Sequence, residues 1–404
     1  IAHPARRVVR RQEWLTGVGG HVRTSPLADE HEQLRSAIRA WVDEELVPNV
    51  PAWEEAGWFP DDVFRRAGEL GFLGLSVPES DGGQGGDYWA TVVFLEEIAR
   101  ASGSIGMALS VQTDMATPPI RQFGTPEQKA RYLAPALRGE LIAAVGITEP
   151  DTGSDVSAIR TRAERDGDGW VLNGSKMYIT NGVRADVVTM VVRTAPYDPD
   201  NPWGGISLFL VDTDLDGFEV SSKLDKVGMR ASDTALLYLD DVRVPGDALL
   251  GVEGEGFGQI MWELQGERLA AAILAVGGAS AGVQRAFDYA SEREAFGRPI
   301  ARFQAVKHRL VDMATDVEQV RWLVYECCDR WNRGEYATTD IAMVKLASAQ
   351  MAFRVADEVM QVFGGYGYSE EFPVERAWRD ARLGRIGGGT DEVQREVISR
   401  LMGV

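Results

Sequence analysis

Two residue periodicities alternate along this chain, and their order constrains the fold more than any other feature. Residues 28–141 read as helix, 142–248 as short strands, and 249–404 as helix again. In the first block Leu34, Ile38, Trp41 and Val42 share one apolar helical face. Asp61 and Asp62 put acid into a first helical turn after Pro60, and Thr125–Pro126 reads as a cap with proline in the first turn. In the middle block Val187–Val192, Ile206–Val211 and Ala235–Leu239 are strand-like runs separated by turn clusters. Asn173–Gly174 predicts a hairpin turn there. In the last block amphipathic stretches at 256–292, 302–333, 338–363 and 390–402 have the lengths of a four-helix bundle. The expected fold is therefore α+β multidomain: an N-terminal helical domain, a small β-barrel or sandwich, and a C-terminal four-helix bundle. Residues 1–27 are expected to be an N-terminal extension. They hold Arg6, Arg7, Arg10, Arg11 and Arg23 but no apolar core of a secretory signal, and a mitochondrial-type transit sequence is the second reading.

At 404 residues the chain exceeds what one hydrophobic core organises. Its net charge of -19 argues against non-specific nucleic-acid binding. It leaves room for an anionic ligand held locally by arginines and helix N-termini. The two cysteines, Cys327 and Cys328, are adjacent, so no disulfide framework is expected and a reducing compartment, the cytoplasm, follows. His3, His21, His31 and His308 have no ligand spacing, so no metal is expected. No uninterrupted apolar run reaches the roughly 18 residues that would span a membrane.

Chemistry concentrates at a few places. Glu267 falls on the helical stripe of Ile260, Leu264, Ala271 and Leu274, where desolvation would strengthen it as a base. Ala144 to Asp155, which includes Val145, Ile147, Thr148, Gly153 and Ser154, offers hydroxyls and backbone N–H groups suited to a flavin edge and a pyrophosphate. Tyr178–Ile179–Thr180 supplies an aromatic followed two residues on by a hydroxyl. Arg293–Ile300 breaks a helix and offers two guanidinium groups. Gln361–Gly367 is a glycine-rich turn outside any Rossmann context, and Gly387–Gly389 precedes a helix that Thr390 would cap.

In this order and spacing the motifs resemble the acyl-CoA dehydrogenase family, from residue 28 onward. They are Ile147–Pro150 with Gly153–Asp155, Asn173–Asn181, Arg293–Gln304, Gln361–Gly365 and Gly389–Thr390. The resemblance implies FAD, with Val145, Ile147, Thr148, Gly153, Ser154, Tyr178, Ile179 and Thr180 on the flavin side of the site. Tyr178 would pack on the ring where many members have Trp. It further implies a tetramer in which Arg293, Phe296, Gln304, Gln361, Gly364 and Gly365 reach the FAD of a neighbouring subunit, while Thr390 and Glu392 close the site. Many members carry the catalytic glutamate directly before the Gly–Thr pair, where this chain has Gly388. A branch resembling isovaleryl- and long-chain-type enzymes carries it on the first bundle helix, in a Glu–Arg pair, and this chain has Glu267–Arg268.

The implied reaction is α,β-dehydrogenation of an acyl thioester to the trans-2-enoyl product. Glu267 would take the α-proton, the backbone N–H of Gly388 would bond the thioester carbonyl, and the β-hydride would go to flavin N5. Met107 and Val111 would line the acyl pocket, and Ser154, Gln265, Arg268 and Gly389 would lie along the thioester and its carrier. An electron-transfer flavoprotein is the implied acceptor. The alternatives are an acyl carrier-protein thioester as substrate, an oxidase, a flavin monooxygenase, or a non-catalytic scaffold. A mitochondrial matrix location applies if the source is eukaryotic.

Overall fold

The computed structural model describes residues 26–404, so the reading of the N-terminal extension lies almost wholly outside the described residues. Four helices of eight residues or more open it: Asp29–Trp41 (α1), Asp62–Glu69 (α2), Tyr88–Ile98 (α3) and Gly103–Ser110 (α4). α3 is buried on nearly every side, and among its buried residues are two acids, Glu96 and Glu97. A buried carboxylate needs partners. Glu97 receives Arg35, Arg39 and Arg100, while Glu96 receives Arg35, Arg321 and the Tyr325 hydroxyl. These bonds tie α3 to α1 and to the C-terminal bundle. At Thr125 the cap forms as the residues dictate, the Gln128 N–H donating to the threonine hydroxyl at 3.2 Å.

The middle of the chain builds eight strands: Ala143–Gly146 (β1), Arg162–Asp166 (β2), Gly169–Thr180 (β3), Val187–Arg193 (β4), Ile206–Asp212 (β5), Phe218–Lys223 (β6), Thr234–Val244 (β7) and Leu249–Leu250 (β8). They run β6-β7-β3-β2-β4-β5-β8, with β1 parallel to β4. A single residue pair, Arg162 with Arg193, joins β2 to β4. The sheet therefore folds into two halves there, and Trp170 of β3 meets Phe209 of β5 edge-on at 5.2 Å in a shared core. This is a sandwich made from one mixed sheet.

Asn173–Gly174 makes no hairpin. Both residues lie inside β3, and the turn comes earlier, at Gly167. Asn173 instead exchanges two bonds with Asp241 of β7, its amide donating to the carboxylate and the Asp241 N–H donating to its carbonyl, each at 2.9 Å. That pairing holds the strand straight across a register shift between Leu172 and Gly174. The shift is a β-bulge, a second use for an Asn–Gly pair.

The last third holds Gly256–Glu292 (α5), Gln304–Asn332 (α6), Thr338–Phe363 (α7), Pro373–Ala381 (α8) and Asp391–Met402 (α9). α8 is one helix more than the periodicity predicts, and its nine residues are too few to stand out. α5 and α7 run parallel: Glu267 lies by Lys345 near one end, and Tyr289 stacks on Phe363 at 4.1 Å near the other. One eighteen-residue window of α5 is apolar enough by composition to cross a membrane, with mean hydropathy 1.3, yet 67% of it is buried inside the fold. α5 is the central rod of the bundle.

Candidate active site

Glu267 stands on α5 where three elements converge. The first is the Gly387–Gly389 loop. A Cβ built on Gly388 would lie 3.2 Å from Glu267 Oε1, so the two positions from which a base could act address one point in space. Gly388 has φ +65°, a left-handed backbone that a side-chain-free residue adopts without strain. The loop is pinned through its carbonyls: Arg268 Nε donates to Gly388 O at 3.2 Å, Gln394 Nε2 donates to the same oxygen at 3.0 Å, and Lys345 Nζ donates to Gly389 O. Among the described residues the Gly388 N–H makes no bond within the chain. Thr390 caps α9 through the Val393 N–H, and Arg385 and Gln350 hold Asp391 from outside the helix. Glu392 is exposed in the first turn.

The electrostatics suit a base. Burial pushes the Glu267 carboxyl above the ordinary carboxylate range, against the pull of Arg268 and then Lys345. Burial also brings the Lys345 ammonium down to about 8. One turn earlier sits Glu263, 1% exposed, with neither carboxyl oxygen partnered. Its burial and then the charge of Glu267 drive it well above the ordinary carboxylate range. It lines a cavity of about 60 Å³ with Tyr88, Thr113, Asp114 and Arg121. Asp114 is itself raised to about 6 by burial. Glu263 was legible in principle, since four residues separate it from Glu267 on the same helical face.

The second element is α4, which walls a larger cavity of about 160 Å³. This cavity follows α5 beyond Glu267, lined by Ala271, Leu274, Gly278 and Gly282, with Met107 and Gly106 of α4 opposite. Met107, expected in an acyl pocket, is on this lining. Val111 does not line it: one α-helical turn after Met107, with its N–H on Met107 O, it is buried in the core cluster that includes Ile260. Gln265 also differs from expectation. It lies two residues, or about 200°, from Glu267 around the helix, and its amide donates back to Met261 O at 3.1 Å. It cannot share the face of the base.

The third element is the end of β3. Tyr178 is 63% exposed at φ +62°, on a register shift between Met177 and Ile179. The bulge turns an aromatic outward from an otherwise regular strand. Three residues on, Asn181 donates to Ala108 O of α4 at 2.9 Å, which fixes the strand end against the acyl cavity. The β1 exit loop is held beside β3 by a pair that the sequence reading missed. Lys176 Nζ lies 2.8 Å from Glu149, both buried, and Glu149 also accepts from the backbone N–H groups of Arg160 and Thr161. Met177 N–H donates to Thr148 O at 2.8 Å. Val145 and Ile147 sit half-buried along this edge, with Thr148 and Gly153 beside each other and Ser154 exposed. Thr180 is half-buried at the strand end and Ile179 is in the core.

The remaining candidates gather elsewhere. Arg293–Gln304 forms a β-hairpin rather than a plain helix end: Glu294–Ala295 pairs with Arg298–Pro299, and Phe296 and Gly297 both have positive φ. Phe296 is 94% exposed. Arg293 reaches the Tyr366 ring at 5.6 Å, so the hairpin adjoins the turn after Gln361, where Gly364 and Gly365 face open space. Glu267 and Glu292 are 25 residues apart on α5, about 38 Å at 1.5 Å per residue. Hairpin and base therefore cannot serve the same ligand within one chain. Both halves fit a flavin dinucleotide: an outward aromatic, hydroxyls and free backbone at one, a guanidinium, an exposed ring and bare glycines at the other.

A half-buried, desolvated glutamate one helical turn from an apolar cavity, with an outward aromatic and hydroxyls at a nearby strand end, suits a flavin-dependent dehydrogenase of carbon–carbon bonds. Three family models match in sequence: the N-terminal domain of acyl-CoA dehydrogenase over residues 28–140, its middle domain over 144–242 and its C-terminal domain over 254–403. The chain is 39% identical to the mitochondrial long-chain specific acyl-CoA dehydrogenase of Mus musculus, over 92% of this chain and 86% of that one. It is also 39% identical to the mitochondrial short-chain specific enzyme of Bos taurus, over 92% and 90%. An acyl-CoA dehydrogenase structure from Geobacillus kaustophilus superposes with a TM-score of 0.91 at 39% identity, covering 94% of this chain and 99% of that one. The chain belongs to the acyl-CoA dehydrogenase family. It is an FAD-dependent oxidoreductase acting on acyl-CoA.

Proposed function

We propose that Glu267 is the base that removes the α-proton of a medium- to long-chain acyl-CoA, giving the trans-2-enoyl thioester. The observation that carries this is the convergence of Glu267 Oε1 with the space a Gly388 side chain would fill, at the head of the apolar cavity. The α-proton of a thioester is a weak acid, so the carbonyl must be polarised as the proton leaves. The free Gly388 N–H supports that role, and such a donor contributes roughly 10²–10³ in rate. Arg268, Gln394 and Lys345 hold the loop that presents it. FAD, when bound, accepts the β-hydrogen with its electron pair. Tyr178, Thr180, Thr148 and Ser154 would hold it on this chain. Mixed anaerobically with acyl-CoA, the wild-type enzyme should lose its flavin colour, and Glu267→Gln should do so slower by roughly 10²–10⁴. A variant that keeps the wild-type rate refutes the assignment.

We further propose that the functional unit is an oligomer, a tetramer by the resemblance, with Arg293, Phe296, Gln304, Gln361, Gly364 and Gly365 closing the FAD site of a second copy. The 38 Å rod between base and hairpin and the near-complete exposure of Phe296 support it. An electron-transfer flavoprotein is proposed as the oxidant that returns the cofactor to its starting state.

A further inference from the structure

The cavity that begins beside Glu267 does not stay apolar. Its lining on α5 runs Ala271, Leu274, Gly278, Gly282 and then Arg285, so the apolar groove ends on a cation. Arg376 of α8 and Arg100, just after α3, line the same end. Arg100 is already neutralised by Glu97 at 2.9 Å and Asp43 at 3.2 Å. Arg285 and Arg376 are not: among the described residues neither has a carboxylate within 4.0 Å. Arg285 makes one hydrogen bond, donating to Arg100 O at 2.9 Å, and lines the cavity. Asp380 is the only acid on the lining; it is engaged by the Met229 N–H and pushed up to about 7 by burial and then Glu54, against the pull of Arg376 and Arg379. It does not balance two arginines.

Two neighbouring guanidinium groups repel each other and resist burial. Burial, then Arg376 and Arg100, lower Arg285 to about 10, a cost that an anion placed between them would remove. A planar guanidinium at the end of a hydrocarbon-wide groove recognises a carboxylate. Arg285 lies 18 residues beyond Glu267, about 27 Å along the helix before its side chain leans back toward the cavity. An acyl chain seated with its α-carbon at Glu267 points its far end there.

We propose that Arg285 and Arg376 receive a negatively charged group at the distal end of the acyl chain, making ω-carboxyacyl thioesters the preferred substrates. This rests on the acyl-CoA reading above and names the substrate class of the same site. A plain alkyl end would leave both guanidinium groups without a carboxylate within 4.0 Å.

The test uses FAD-loaded enzyme and matched pairs of substrates, saturated acyl-CoAs of six to sixteen carbons and the mono-CoA thioesters of the dicarboxylic acids of the same length. At the optimal length the ω-carboxy member should have the higher kcat/KM. Arg285→Gln and Arg376→Gln should each lower the ratio of ω-carboxy to plain kcat/KM about tenfold, the effect of one lost charge-assisted bond. Arg285→Lys, which keeps the charge, should hold most of the ratio and so separates recognition from misfolding. Plain acyl-CoAs preferred at every length would overturn the inference and leave the dehydrogenase reading standing. An ω-carboxy preference whose ratio neither glutamine variant changes would overturn it too. No flavin bleaching by either series would overturn the proposed function, and this inference with it.

Discussion

Glu267 acts only when ionised, and its surroundings favour the neutral form. The rate of flavin bleaching should therefore fall as pH drops through a value above the ordinary glutamate range. Arg268 and Lys345 hold that value down, so removing a cation should move the profile to higher pH. Lys345→Met is the cleaner test, and a shift to lower pH in single-turnover bleaching would contradict the assigned electrostatics. Glu267 itself was legible because an acid on an apolar stripe is a local exception that periodicity exposes. Gln265 and Val111 were misplaced for the same kind of reason in reverse. Nearness in sequence is not nearness on a helix, and an apolar side chain does not announce whether it enters a cavity or the core beside it. Glu263 and the arginines at the cavity end are polar groups whose meaning depends on what packs against them from other elements.

Among the elements, the β1 exit loop and β3 depend on one buried ion pair. Lys176 is fully buried, and burial brings its ammonium down to about 8 despite Glu149. Glu149 in turn satisfies two backbone N–H groups. Lys176→Met would strand a buried carboxylate, so unfolding in urea should show a loss of about 3–5 kcal/mol. Glu149 and Lys176 lie 27 residues apart. The sequence displays both residues and nothing that pairs them. The long helices of the bundle were legible because many turns repeat the same pattern. The nine-residue helix Pro373–Ala381 and the bulge at Asn173–Gly174 were not. In the latter, local turn chemistry yields to a cross-strand partner, Asp241, that sits 68 residues away.

At the scale of the whole molecule, Glu267 and the Arg293–Gln304 hairpin stand at opposite ends of α5. If the hairpin completes a second copy's site, Phe296→Asp should weaken both subunit association and FAD retention. Sedimentation monitored at flavin absorbance should then show smaller particles with less colour than wild type, and unchanged colour and size would refute the shared site. The domain order was legible because the change from helical to alternating period covers hundreds of residues, whereas the distance between Glu267 and the hairpin becomes visible only once the length of α5 is measured. That helix is a ruler. It sets the spacing and the rotation between Glu267 and the hairpin at Arg293, and each residue of it counts for about 1.5 Å and 100°. Residues 268–292 should therefore accept many exchanges of one small side chain for another and almost no insertion or deletion. If the hairpin completes a neighbour's site, one residue gained would swing it more than a quarter-turn out of place.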